Sequence, residues 1–253
     1  MTDQAPERCD ILIRNGTVVD GTGGPARCAD VAVTDDRIVS VGDLSRTKGG
    51  REIDATGLAV APGFIDVHTH DDYVLLSKPE MTPKLSQGVT TVVVGNCGVS
   101  VAPLKTSGRP PPPLDLLAGE GHWRFDSFAK YLDALDQDAP AINGVAMVGH
   151  STLRAGAMDR FDRAASGSEI RAMRAGLEEA LEAGAIGLST GLAYKIAINA
   201  PTDEVIELSK GLLAAHGALY ATHMRNDREN YRRDGRILRD RPRGPSAGGD
   251  LAP

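Results

Sequence analysis

Five short apolar runs of the chain alternate with segments that have the periodicity of amphipathic helices. The runs with the character of strands are residues 64–67, 90–94, 144–148, 186–189 and 218–222. Strands that alternate with helices in this way are typical of βα units, which place parallel strands side by side. The alternation therefore predicts an α/β domain over residues 61–226, in which helices cover a parallel sheet.

The segments between these runs have recognisable helix ends. Asp126 is a candidate N-cap for one helix, and an apolar stripe over residues 170–181 ends before Gly184. Residues 202–216 form the last predicted helix. The proline-rich residues 103–121 cannot join a helix or a central strand, so we predict a long loop beside the site.

Residues 8–60 have a different pattern, in which short alternating apolar runs are separated by turn residues. Asn15-Gly16 is a dipeptide typical of a two-residue hairpin turn, and Asp35-Asp36 separates two further runs. The pattern predicts a small β domain, residues 1–60, that precedes the α/β domain.

His68 and His70 follow the first predicted strand of the α/β domain, with one residue between them. Side chains two positions apart on a strand point to the same face, so both imidazoles can reach one metal ion. Neutral imidazole is a common ligand of zinc and similar metals. Asp71 and Asp72 come next, where carboxylates commonly orient ligating histidines. The motif predicts a metal site at the end of this strand.

Four motifs carry a resemblance to a known family. Residues 61–66 (Ala-Pro-Gly-Phe-Ile-Asp), which lead into the two histidines, resemble the first barrel strand of the amidohydrolase superfamily of metal-dependent hydrolases. Residues 95–100, 189–194 and 220–226 resemble its D-aminoacylase (N-acyl-D-amino-acid deacylase) branch. The resemblance implies a partial TIM-like (β/α)8 barrel, about its first five βα units, with a small N-terminal β-sandwich portion.

The same resemblance implies roles for individual residues. The implied ligands of one or two zinc ions are His68, His70, Cys97 and His223. Cys97 taken alone would more often be a buried apolar residue, and it is the matching family cysteine that indicates a ligand. Tyr194 and Arg225 are expected to hold the substrate carboxylate, because guanidinium offers carboxylate two parallel donors. His150 closes the third predicted strand and is expected to line the pocket.

Two parts of the family's catalytic apparatus have no match in the sequence. Relatives have a further metal-binding histidine on the sixth strand and, on the eighth, a catalytic aspartate that acts as acid and base. No residue after Asn226 lies in a matching motif, so the acid/base is unassigned. Residues 227–253 combine Arg, Gly and Pro with few large apolar groups, which is typical of a disordered tail. We therefore expect a barrel truncated after about Asn226.

Composition favours a soluble protein of the reducing cytoplasm. The 253 residues carry a formal net charge of −6, which suggests neither a nucleic acid nor an anionic membrane as partner. No stretch is long and apolar enough to span a bilayer, and the N-terminus lacks the pattern of a signal peptide. The three cysteines cannot form a complete set of disulfides.

The primary functional hypothesis is zinc-dependent hydrolysis of the linear amide bond of an N-acyl-D-amino acid, a small-molecule substrate. Catalytic zinc lowers the pKa of bound water to about 7, which supplies the nucleophile at neutral pH. Two alternatives stay open. One is a non-catalytic fragment or pseudoenzyme; the other is a cyclic-amide hydrolase of the hydantoinase or dihydroorotase type, for whose carbamylated lysine Lys195 is the nearest candidate.

Overall fold

A computed structural model describes residues 5–226 of the chain. These residues belong to two compact units, the first ending at Gly63 and the second beginning at Phe64. The tail predicted for residues 227–253 lies outside the described residues. Within residues 5–226, every helix is too short or too polar to cross a membrane.

The first unit is built on one five-stranded β-sheet. Its strands are β1 (Arg8–Val18), β2 (Arg27–Thr34), β3 (Arg37–Gly42), β4 (Lys48–Asp54) and β5 (Ala59–Val60). The strand order is β3-β2-β1-β4, and β5 also pairs with β1. The first three strands are antiparallel neighbours, whereas β4 and β5 run parallel to β1. Cys9, Leu12, Ala32 and Leu44 form its small apolar core.

One of the two predicted hairpin turns in this unit is wrong. Asn15 and Gly16 lie inside β1, where the register with β2 shifts between Ile13 and Gly16. Asn15 has a φ of 60° there, and its N–H donates to Asp30 Oδ1 at 2.8 Å. A β-bulge needs the same positive φ that a tight turn needs, so the Asn-Gly pair suits either. The second turn is confirmed, because Asp35 connects antiparallel β2 and β3 with a φ of 52°.

The second unit alternates strands with helices. Its strands are β6 (Phe64–Asp66), β7 (Val89–Val94), β8 (Leu104–Lys105), β9 (Arg124–Phe125), β10 (Asn143–Ala146), β11 (Val148–Gly149), β12 (Gly187–Gly191) and β13 (Leu219–His223). Its α-helices are α1 (Val74–Ser77), α2 (Thr82–Leu85), α3 (Phe128–Gln137), α4 (His150–Ala157), α5 (Gly167–Ala183), α6 (Thr202–Ser209) and α7 (Leu212–Ala215). The predicted loop over residues 103–121 contains β8 and a short 3-10 helix, Leu114–Leu116.

The strands predicted from the apolar runs are parallel neighbours in chain order. β6, β7 and β10 form one sheet, and β11, β12 and β13 form another. Met147 divides the third predicted strand into β10 and β11, which pair with opposite neighbours. The Met147 N–H donates to the Val94 carbonyl at 3.1 Å, and the Ile186 N–H donates to the Ala146 carbonyl at 2.9 Å. This segment therefore links the two sheets.

Two helix ends differ from the predictions. Ser127, rather than Asp126, is the N-cap of α3, and its Oγ accepts from the Lys130 N–H at 3.3 Å. The helix predicted over residues 202–216 is two helices, because Gly211 has a φ of 77° between α6 and α7. The predicted end of α5 is confirmed, with Gly184 as a left-handed C-cap.

The core of the second unit lies between its parallel strands and the helices that follow them. Val92, Val148 and Leu188 from the strands belong to one buried cluster with Met173 and Leu177 of α5. All five side chains are almost completely buried. The strands are thereby held in register, and their C-terminal ends carry the predicted site residues.

Candidate metal centre

The two histidines of the His-x-His motif lie directly after β6. Both residues are solvent-exposed, their ring centroids are 5.7 Å apart and the ring planes meet at 84°. The His68 N–H donates to Asp66 Oδ1 at 3.3 Å, which stabilises the turn out of the strand. Because β6 ends at Asp66, the motif occupies the segment after the strand rather than the strand itself.

Cys97 joins the two histidines in a compact cluster. It follows β7, and its Sγ lies 3.1 Å from His68 Nε2. One ligand atom from each of His68, His70 and Cys97 lies within 4.8 Å of the other two. Two imidazole nitrogens and one sulfur are donors that zinc prefers, so the residues present fit this metal.

Two glycines let the Cys97 loop pack closely against neighbouring backbone. Gly95 and Gly98 both have a φ of 75°, and a Cβ at these positions would overlap backbone atoms of Met147 and Gly191 respectively. Cys97 itself has a φ of 53°, which residues with a Cβ rarely adopt. Such a backbone persists only where its surroundings hold it, and it is concentrated at ligand sites.

Ser189 of β12 holds this loop in place. Its buried hydroxyl donates to the Gly95 carbonyl and accepts from the Gly98 N–H at 2.9 Å. One side chain therefore fixes both glycines that flank Cys97. The sequence motif over residues 189–194 contains this serine, but the motif alone indicated no partner for it.

Burial shifts the pKa of two cluster residues, Cys97 and His70. Burial raises the pKa of the Cys97 thiol, and a hydrogen bond from Tyr194 opposes that effect. Burial and the neighbouring His68 lower the pKa of His70. At neutral pH these two groups are a thiol and a neutral imidazole. Metal binding at Cys97 would therefore release a proton.

The acidic residues next to the motif do not join the cluster. Lys84 Nζ lies 2.8 Å from Asp66 and 3.0 Å from Asp71, so one positive charge is shared between two carboxylates. Asp72 is buried; burial raises the pKa of its carboxyl to about 7, although backbone N–H groups such as that of Gly95 oppose this. Over residues 5–226, neither Asp71 nor Asp72 is part of the group of close ligand atoms.

Two further predicted site residues lie next to the cluster: Tyr194, in the loop after β12, and His223, the last residue of β13. The Tyr194 hydroxyl lies 3.3 Å from His223 Nδ1 and is also hydrogen-bonded to Cys97. The His223 carbonyl accepts from the Leu192 N–H at 3.1 Å, which ties the ends of the two strands together. His223 contributes to the lowered pKa of His70. The structure thus brings the fourth predicted ligand beside the cluster, although outside the group of close ligand atoms.

Arg225 and His150 have surroundings that the sequence did not indicate. Arg225 Nη1 donates to the Ile198 carbonyl at 3.0 Å, and its Nη2 is buried without a partner among the described residues.

His150 is completely buried, and its Nε2 lies 3.1 Å from Glu204 Oε1. The expectation that His150 lines the pocket is wrong, because no part of it is accessible. Glu204 was missed because no motif contains it.

Comparison with known proteins decides the family. The family model for the amidohydrolase family matches residues 51–239. The chain belongs to this family. A D-aminoacylase of Alcaligenes xylosoxydans xylosoxydans is 53% identical over 230 residues, which cover 91% of this chain and 47% of that protein. This amidohydrolase chain therefore spans about half the length of the curated relatives that it matches.

Solved structures of relatives share the fold of this chain over about half of their own length. A D-aminoacylase with a binuclear metal centre has a TM-score of 0.84 and 53% identity, over 87% of this chain and 46% of that one. An N-acyl-D-glutamate deacylase of Bordetella bronchiseptica, solved with zinc and a phosphonate inhibitor, has a TM-score of 0.82 and 44% identity, over 87% and 46%. The amidohydrolase chain thus has the backbone arrangement of metal-dependent relatives.

Proposed function

We propose that this chain forms part of a zinc-dependent site that hydrolyses the amide bond of N-acyl-D-amino acids. The observation that carries the proposal is the cluster of His68, His70 and Cys97, whose ligand atoms lie within 4.8 Å of one another. His223 is the fourth proposed ligand, for one or two zinc ions. The similarity to a D-aminoacylase and to a deacylase solved with zinc supports this reaction and this metal.

The proposal extends to the fold. We propose that the five parallel strands are the first five βα units of a (β/α)8 barrel, within a domain of residues 61–226. The sheet of residues 1–60 is then one layer of a β-sandwich. Parallel strands in chain order and ligand residues at their C-terminal ends support the barrel, because active sites of such barrels lie at that face.

Each proposed site residue has a distinct task. Bound zinc would polarise the amide carbonyl and lower the pKa of a water molecule. Tyr194 would orient Cys97 and His223 through its hydroxyl, which contacts both residues, and would lie beside the bound substrate. Arg225 Nη2 has no partner among residues 5–226 and would donate to the substrate carboxylate.

No acid/base is assigned within residues 5–226. Asp71 is paired with Lys84, Asp72 is buried, and neither belongs to the cluster of close ligand atoms, so neither is proposed as the acid/base. In this proposal the acid/base belongs to the part of the relatives that the chain does not span. General acid–base catalysis contributes about 10²–10⁴-fold, so turnover by the chain alone is low. A non-catalytic metal-binding role is the second candidate, because no acid/base is assigned within residues 5–226.

The cyclic-amide alternative has less support. Lys195, its candidate for a carbamylated ligand, is exposed. A cyclic amide also lacks the free carboxylate that Arg225 would bind in this proposal.

Release of D-amino acid from N-acetyl-D-leucine tests the proposed function. The zinc-loaded chain is assayed alone and joined to the C-terminal half of the related D-aminoacylase, with N-acetyl-L-leucine and a hydantoin as competing substrate classes. We expect the joined chain to cleave the D-substrate and the chain alone to be at least about 100-fold slower. Cys97→Ala should abolish activity, whereas Cys28→Ala, at an exposed cysteine of the first unit, should not. Opening of the hydantoin without deacylation would overturn the proposal.

A further inference from the structure

The loop that follows β12 carries Tyr194 and is held by two arginines. Arg154 Nε donates to the Ile196 carbonyl at 2.7 Å, and Arg225 Nη1 donates to the Ile198 carbonyl at 3.0 Å. Inside the loop, the Tyr194 carbonyl accepts from the Ile198 N–H at 2.7 Å. The backbone on the C-terminal side of Tyr194 therefore has fixed partners on α4 and after β13.

Arg154 is itself part of a buried ion pair. The Arg154 and Glu204 side chains are 0% and 1% exposed, and Arg154 Nη1 donates to Glu204 Oε1. The third nitrogen, Nη2, donates to the Arg163 carbonyl at 2.9 Å. Every nitrogen of this guanidinium thus has an acceptor, which leaves it one orientation. Removing a partner of a buried ion pair leaves an uncompensated charge, so this orientation depends on Glu204.

Glu204 is surrounded by donors. Burial raises the pKa of its carboxyl, but hydrogen bonds from His150, Arg154 and the Ala165 N–H outweigh that effect and bring the pKa to about 2. Burial lowers the pKa of His150, which is therefore neutral and donates through Nε2. The Glu204 carboxylate and the Arg154 guanidinium have opposite charges, so the buried network of Glu204, Arg154 and neutral His150 has no net charge.

The network also extends further than helix packing requires. An ion pair that only joined α4 to α6 would not need to donate to a loop carbonyl. Arg154 donates to Ile196, two residues after Tyr194, and the Tyr194 hydroxyl contacts Cys97 and His223. A continuous path of contacts therefore runs from Glu204 to the candidate metal centre.

We infer that Glu204 and Arg154 are positioning residues of the metal centre, which fix the loop so that the Tyr194 hydroxyl stays between Cys97 and His223. The inference rests on the proposed metal site. Residues that orient metal ligands typically contribute 10–100-fold to metal affinity, so we expect at least a 10-fold effect.

Cobalt titration of the full chain tests the inference, with the cysteine-to-cobalt charge-transfer absorption as the readout. Tyr194→Phe and Glu204→Gln should each weaken cobalt binding by about 10-fold. The double variant should bind no more weakly than Tyr194→Phe, because both changes remove the same contact. Glu207→Gln is the matched control: it makes the same substitution on α6 at a side chain that is 58% exposed, and should bind cobalt as the unchanged chain does.

Circular dichroism first establishes that each variant is folded. If Glu204→Gln does not fold, Glu204→Asp, which retains the charge on a shorter side chain, takes its place with the same expected direction. Unchanged affinity in the folded Glu204 variant, or multiplied losses in the double variant, would refute positioning while the metal site stands. Equal weakening by Glu207→Gln would also refute it. Absence of cobalt binding to the unchanged chain would instead refute the metal site on which the inference rests.

Discussion

At the scale of single residues, the candidate metal centre depends on the backbone around Cys97. The sequence named His68, His70 and Cys97 through motif spacing and family resemblance. It did not name the contacts of Tyr194, because these join the ends of β7, β12 and β13 and follow from strand order. Short motifs show which residue types are present, whereas the contacts between motifs depend on the folded sheet.

Gly98→Ala tests the importance of the Cys97 loop. An L-residue at a φ of 75° costs about 1–2 kcal/mol, and the new Cβ would overlap the Gly191 backbone. We expect a loss of at least about 2 kcal/mol in the free energy of unfolding, measured by urea denaturation, together with a lower zinc content. Gly108→Ala is the control, since its Cβ would meet open space. Equal stability of the two variants would contradict the account.

At the scale of elements, the apolar runs predicted the parallel strands well, but two boundaries depended on information that periodicity lacks. Met147 is apolar like its neighbours, so the division between β10 and β11 is invisible in the pattern. Asp126 and Ser127 are both good N-cap residues, and only the backbone geometry selects Ser127. A third boundary, the break at Gly211, lies inside the helix predicted over residues 202–216, where the apolar periodicity continues across it.

Helix α6 should carry a pH-dependent contribution to stability through Glu204. The pKa of the Glu204 carboxyl is about 2 in the folded chain, below the ordinary 4.5. The contribution of this carboxyl to the free energy of unfolding is therefore present above pH 4.5 and is lost as pH falls toward 2. Urea denaturation at pH 7, 4.5 and 3 measures how much stability each chain loses as the pH falls. The loss between pH 7 and pH 3 should be smaller for Glu204→Gln than for the unchanged chain. Glu207→Gln, at an exposed position of the same helix, should follow the unchanged chain. Identical pH dependence in all three would contradict the prediction.

At the scale of the whole molecule, β6 and β13 are edge strands of the two parallel sheets, which the segment of β10 and β11 links. Over residues 5–226, β6 pairs only with β7, and β13 pairs only with β12. Ile65 and Val67, on and next to β6, are 61% and 67% exposed, and Leu219 of β13 is 59% exposed. Unpaired strand edges with exposed apolar side chains favour association with other chains. The sequence predicted the open edge at the fifth strand, β13, but not the one at β6.

Measuring self-association of the chain tests whether the exposed edges of β6 and β13 pair with other copies. We expect concentration-dependent oligomers in sedimentation velocity, and Ile65→Lys should reduce them because a charge at an edge opposes pairing. Leu116→Lys is the control, since Leu116 is 83% exposed but lies outside both edge strands. A monodisperse monomer at all concentrations would contradict the prediction.

X-ray absorption spectroscopy of the zinc-loaded chain tests the proposed metal centre most directly. The proposed ligands require one sulfur at about 2.3 Å and nitrogen ligands at about 2.0–2.1 Å from zinc. Cys97→Ala should remove the sulfur shell, whereas Cys28→Ala should leave the spectrum unchanged. A zinc shell with only oxygen and nitrogen in the unchanged chain, or a sulfur shell that survives Cys97→Ala, would contradict the account.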